Sequence, residues 1–198
     1  MSLTKVTEVS LYAIASTASN VITVGSAVDV STYYGADVRI RMGRGTGTAF
    51  TAAPIFRIEG TYKTSPTANE WITLAAFSPA LGASIGSQAV SGTSSIGDTT
   101  IVLAAATNFG AADFVFCHNT SIANSEWKHV VSISSATITL QEALVFAQTG
   151  ATVRDQAEEY HALLDLTSVQ KIRLVVDGSP GSGQAVIVEA GLGAVSAL

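Results

Sequence analysis

Apolar and polar side chains alternate with a period of two along much of this chain, the spacing of a strand with one buried face. Val38, Ile40 and Met42 alternate with Arg39 and Arg41. The stretch from Pro54 to Lys63 sets Phe56, Ile58 and Tyr62 against Arg57, Glu59 and Thr61, and a further strand is expected from Glu70 to Phe77. Between these two lies KTSPTANE, a cluster of turn-forming residues, so the pair reads as a hairpin joined by a polar loop.

The last third repeats the grammar. Strands are expected over Tyr160–Leu166, Lys171–Val176 and Gln184–Ala190, the last two rich in β-branched residues. The first of these sits in a stretch with some helical spacing, RDQAEEYHALLDL, and is read as a strand beginning at Tyr160. Ser179–Gly183, SPGSG, reads as a flexible turn that folds the last two strands into a second hairpin.

Residues 90–154 have a different texture. A Ser/Gly-rich entry leads to five short strands about ten residues apart, the spacing of a compact barrel. The expected fold is therefore all-β: a β-sandwich built from residues 1–88 and 156–198, with a small β-barrel-like module, 89–155, inserted at a surface loop. No repeat of 20 to 50 residues and no heptad pattern is present.

Composition sharpens the picture. The 198 residues are 47% hydrophobic and only 13% charged, against a usual charged share of roughly 25%. Mean hydropathy is +0.40. Weakly charged surfaces have little to hold copies apart, which favours a subunit of an assembly over a solitary domain. The net charge of −5 comes without a basic cluster, which argues against nucleic acid as a partner. No apolar run is long enough for a membrane-spanning helix, and the first residues do not read as a secretory leader, so cytoplasmic production is expected.

The residues that carry chemistry are scattered. Cys117 lies in the apolar run FVFCH and reads as a buried, inert thiol. His118 and His129 fall on neighbouring strands and can approach each other, with Glu126 or Asp113 as accompanying acids, but the spacing matches no metal motif; His161 stands apart. Glu158 and Glu159 are adjacent and point to opposite faces of a strand, so they cannot flank one bond. Asp29, Asp37, Glu59 and Glu70 are dispersed. Gly82–Gly86 fits the bare G-x-S-x-G pattern without the strand–turn–helix setting a nucleophile elbow requires. GRGTG, residues 43–47, lacks the features of a phosphate-binding loop and reads as a mobile loop with Arg44 at its tip, available to a neighbour. The Asn119-Thr120-Ser121 sequon carries no weight without secretion, and Trp71 and Trp127 read as core. No catalytic, cofactor or metal site is expected.

The middle segment also carries a resemblance. A Gly-Asp opening at Gly97 and Asp98, a turn from Phe109 to Asp113, a Glu126-Trp127 strand, a hairpin through Ile138 and Leu140, and a close at Phe146 and Val153 resemble a small β-module of tailed-bacteriophage virion proteins. The flanking lobe resembles the sandwiches of capsid decoration (cement) or neck proteins. The resemblance covers about a third of the chain. It implies a non-enzymatic structural subunit, assembled in the host cytoplasm and resident in the virion. Its implied partners are major capsid or neck and tail proteins, and further copies of itself. Asp98 and Asp113 are then turn caps, and Phe109, Trp127, Ile138, Leu140 and Phe146 core residues. A neck or tail adaptor, and a carbohydrate- or receptor-binding module, are the alternatives. The N-terminal arm (Met1 to Glu8) and the C-terminal tail (Gly191 to Leu198) are candidates for lying along a partner.

Overall fold

In the computed structural model, which describes residues 3–5, 8–18, 20–46, 48–80, 86–178 and 184–197, the strands sort into three antiparallel sheets. The first sheet is built on two long strands, β5 (Tyr33–Arg44) and β16 (Val186–Ala197), paired along most of their length. On one side of this pair lies β14 (Glu158–Asp165), against β5. On the other lie β1 (Leu3–Lys5) and β2 (Val9–Thr17), which follow one another along β16. The second sheet centres on β15 (Lys171–Asp177) and β6 (Ile55–Thr61), with β7 (Ile72–Phe77) on one edge. Its other edge is split between β3 (Ile22–Val24) and β4 (Val28–Asp29).

The alternation read from the sequence explains why these two sheets face each other. Val38, Ile40 and Met42 of β5 point inward with Val188, Ala190 and Leu192 of β16. Across the layer they meet Phe56 and Ile58 of β6 and Ile172, Leu174 and Val176 of β15, in one contiguous apolar core. Burying this much aliphatic surface is the main force holding the sandwich. The hairpin expected between the strands around Phe56 and Phe77 is present: β6 pairs with β7, and a short 3₁₀ turn at Ala68–Glu70 sits in the polar loop. The Glu70 carboxylate accepts the Thr67 backbone N–H at 2.8 Å and closes that loop.

The second expected hairpin is not formed. β15 pairs with β3, β4 and β6, whereas β16 pairs with β1, β2 and β5, so the connection crosses from one sheet to the other. Both strands are apolar enough to occupy the centre of a sheet, and each takes a centre of its own. The SPGSG turn of that expectation lies outside the described residues. β14 begins at Glu158, two residues before the expected start. The C-terminal tail is no free arm, because Gly191–Val195 are paired with β5 in the middle of the first sheet. Leu3–Lys5 of the N-terminal arm likewise adds a strand to the chain's own sheet.

The third sheet runs in the order β8 (Ser87–Ala89), β13 (Thr152–Arg154), β10 (Phe114–His118), β11 (Glu126–Ser134), β12 (Thr137–Leu140) and β9 (Thr100–Val102). The five short strands expected in this stretch are joined by β8, hidden in the Ser/Gly-rich entry. Its edges curl until they meet. Val90 bridges Leu103, the Ser91 N–H donates to the Val102 carbonyl at 2.7 Å, and the Ala104 N–H to the Ala89 carbonyl at 2.9 Å. The resulting small barrel has its own core of Ile101, Leu103, Val115, Cys117, Ile138, Leu140, Leu144 and Val153. All its strands lie between Ser87 and Arg154, and all sandwich strands lie outside that interval.

Turns in the barrel follow the expected chemistry. The Asp98 carboxylate accepts the Ser95 N–H at 2.7 Å, and the Asp113 carboxylate accepts the Gly110 N–H at 2.6 Å. One landmark aromatic differs from expectation: Phe146 is half-buried, and Leu144 fills a core position. Trp127 is buried as expected, in the contact with the sandwich.

Candidate functional site

The barrel sits on the outer face of the first sheet, and the buried Arg44, Arg154 and Asp155 gather near the junction. The junction's apolar centre is Phe116 and Trp127 of the barrel against Ile187 of β16 and Ala157, with Ile14 of β2 beside them. The Phe116 and Trp127 rings lie 4.8 Å apart. The Trp127 indole N–H donates to the Met42 carbonyl at 2.9 Å, which ties β11 to the end of β5. Gly43 makes this approach possible. A Cβ there would lie 2.5 Å from the Phe116 ring, so only glycine lets the aromatic rest on the backbone.

Arg44 follows in the next position and overturns the reading of GRGTG as a mobile loop. Its side chain is 1% exposed. The guanidinium donates to the Gln156 Oε1 and to the Thr48 carbonyl, and lies 4.9 Å from the Phe50 ring centroid. Gly43 and Arg44 are the last residues of β5. Gly47, at the end of the motif, lies outside the described residues. Arg154, opposite, donates to the Arg44 carbonyl at 2.9 Å and to His118 Nδ1 at 2.6 Å. Burial, and then the neighbouring Arg154 charge, hold His118 below the ordinary histidine range. His118 is thus a neutral acceptor.

His118 does not meet His129. In the β10–β11 ladder, Phe114 is opposite His129 and Cys117 is opposite Glu126, which puts the two histidines at opposite ends of the hairpin. Glu126 is a structural acid: it pairs with Lys128 at 2.9 Å and accepts the Val145 and Phe146 N–H groups and the Gln148 amide. Among the described residues no group of three or more His, Cys, Asp or Glu side chains is arranged to hold a metal. Cys117 is fully buried in the barrel core, and its thiol is pushed up to about 12. The Gly82–Ile85 part of the G-x-S-x-G match lies outside the described residues.

Beside the junction, between barrel and sandwich, opens a cleft of ≈ 640 Å³ lined by Asn108, Phe109, Asp113, Phe114, Asp155 and Gln156 among others. Asp155 is 6% exposed, and its Oδ1 has no hydrogen-bond partner. Burial first, and the Asp113 charge as a lesser cause, raise its carboxyl above the ordinary aspartate range. Asn108 (φ 67°), Ala112 (φ 72°) and Gln156 (φ 53°) are held in the left-handed region around this cleft. Such backbone is costly away from glycine and clusters where a surface is shaped for a purpose.

The remaining candidates are dispersed over the sandwich. His161 lies between Asp37 (3.3 Å) and Glu159 (3.2 Å), Arg41 pairs with Glu159 at 2.5 Å, and Arg39 with Glu8 at 2.7 Å. These form a charged ladder on the part of the outer face that the barrel leaves open. Glu158 turns the other way and accepts the Tyr160 hydroxyl at 2.8 Å. Asp29 accepts the Ser31 backbone and hydroxyl, and Glu59 pairs with Arg173 at 2.8 Å. Trp71 is only half-buried, with the Arg173 guanidinium 4.0 Å from its ring centroid. Sequence reasoning missed Asp155 and Arg154 altogether. Nothing in the linear pattern marks residues whose partners come from other strands and loops, as Arg44 and His118 do for Arg154.

No protein-family model matches the chain, and no curated protein matches it. Among solved structures the chain is similar to VP17, a capsid protein of bacteriophage P23-77, at 8% identity over the whole of both chains, with a TM-score of 0.22. A likeness of that size carries no inference about fold or role.

Proposed function

We propose that this chain is a non-enzymatic structural subunit of a bacteriophage particle, in the form of a decoration or cement protein that binds neighbouring subunits. We take residues 1–88 and 156–198 as its sandwich lobe and 89–155 as the inserted module. The observation that carries the reading is where large apolar side chains remain uncovered. Val21, Ile22 and Val24 are about half exposed at the edge of the second sheet, and Leu163 is 87% exposed on the edge strand β14. Val102 and Val131 are exposed on the barrel. Edge strands with uncovered aliphatic residues and few charges are ready to pair with another chain, and a solitary protein usually blunts them. Most of the acids, with His118 and His161, are by contrast engaged in turns, ladders and buried hydrogen bonds.

The test is incorporation. Ile22→Lys and Val24→Lys place charge on the exposed edge without touching the core. The expected result is that both variants fold with the wild-type circular dichroism spectrum and thermal midpoint, yet fall at least about tenfold in copies per particle, counted by quantitative mass spectrometry. Undiminished incorporation of both variants, or a wild-type chain missing from particles, would refute the proposal.

A further inference from the structure

The geometry points to the cleft between barrel and sandwich as a receptor for a cationic side chain, an arginine presented by a neighbouring subunit. The inference deepens the structural reading above and rests on it only for the source of the cation. The cleft combines two features. Its floor holds Asp155, a carboxylate almost wholly withdrawn from water, with one oxygen left without a hydrogen-bond partner. Orphaned acceptors of this kind are costly, and a native fold retains them where something else completes the bonding. The nearest counter-charge does not complete it: Arg44 gives its terminal nitrogens to Gln156 and Thr48, and its Nε makes no bond.

The walls select the kind of cation. Asp113 contributes a second carboxylate, anchored by the Gly110 N–H. Phe109 and Phe114 are both half-buried and line the same space. A hard metal ion takes six or more oxygen ligands, and aromatic walls offer none. A guanidinium is planar and weakly hydrated, and it satisfies both demands by bonding carboxylates at its edge while stacking on rings with its face. Asn108, Ala112 and Gln156, all with left-handed backbone, complete the lining.

The test uses the isotopically labelled full chain and three probes: the peptide acetyl-Gly-Arg-Gly-amide, the same peptide with citrulline in place of arginine, and calcium chloride. Citrulline keeps the shape and removes the charge. The expected result is saturable shifts of the backbone amide signals of residues 108–114 and 155–157 with the arginine peptide, with a dissociation constant of roughly 1–10 mM, as befits a single side chain. The citrulline peptide should bind about tenfold more weakly or not at all. Asp155→Asn should abolish the shifts while leaving the spectrum dispersed. Asp113→Asn, on the more open wall, should weaken binding and guards against a folding defect at Asp155. The inference is overturned by an arginine peptide that does not saturate, by equal binding of the citrulline peptide, by unchanged binding in both variants, or by calcium acting on the same amides at lower concentration. Failure here with normal particle incorporation sinks the cleft alone; failure of incorporation sinks the structural reading.

Discussion

The two faces of one sheet are held by different chemistry. On the inner face of β5 and β16, Val38, Ile40, Met42, Val188 and Leu192 pack in one apolar cluster with aliphatic and aromatic residues of the second sheet. On the outer face the same strands present Arg39 and Arg41 to an open charged ladder. Two residues further they present Gly43 and Ile187 to the barrel, with the polar group of Arg44, Arg154, His118 and Gln156 nearby. The inner face is non-directional and tolerates changes of shape at constant volume. The junction is directional: one glycine, one indole hydrogen bond and the buried Arg154 guanidinium, bonded to the Arg44 carbonyl, fix where the barrel sits. The sandwich therefore supplies stability and the junction supplies placement.

Substitutions that strike one face and spare the other test this division. The largest effect belongs to the inner face. Phe56→Ala should cost about 3–5 kcal/mol, read as a lowered urea midpoint of the far-ultraviolet transition, because it opens a cavity between both sheets. Gly43→Val should cost less, about 1–3 kcal/mol, since the new side chain drives into the Phe116 ring. Its mark should be local: the Trp127 indole proton loses protection from hydrogen exchange while inner-face amides of β5 keep theirs. Equal loss at both would show that the two faces are not separable.

Acid should act through the junction. His118 is held below the ordinary histidine value of about 6.5. The unfolded chain therefore takes up the proton at higher pH than the folded one. Stability from this group is complete above that value and is lost as pH falls through the lower, folded one. A His118→Gln variant should lose less stability than wild type between pH 7 and pH 5 in thermal melts. Asp155 has the opposite sign. Its raised carboxyl takes up a proton first in the folded chain, so its contribution falls as pH rises from the ordinary aspartate range through the raised value. Asp155→Asn should flatten that descent. The smallest effect belongs to the open ladder. Arg39→Ala removes an exposed pair with Glu8 and should change stability by no more than about 1 kcal/mol, less at high salt.

The inner face was legible in the sequence because a period of two reports burial directly. Val38, Ile40, Met42, Phe56 and Ile58 were readable one residue at a time, and so were the turn caps Asp98 and Asp113. The crossing from β15 to β16 was not. Two apolar strands with a flexible link look like a hairpin, and only competition for sheet centres separates them. Arg44 was misread for a related reason: an arginine between glycines looks exposed until Thr48, Phe50 and Gln156 close around it. Asp155 gave no signal at all, because its environment is made by Asp113 and Gly86 from distant parts of the chain. What sequence patterning reports is the face of a strand. It does not report what that face meets.

The most direct measurement is a symmetry-averaged cryo-electron microscopy reconstruction of particles from cells that produce the chain. The account predicts density for a sandwich carrying a small barrel at repeated positions, with the β3 edge against a neighbouring subunit. Particles complete without that density, together with a chain that sediments as a solitary monomer in their presence, would contradict it.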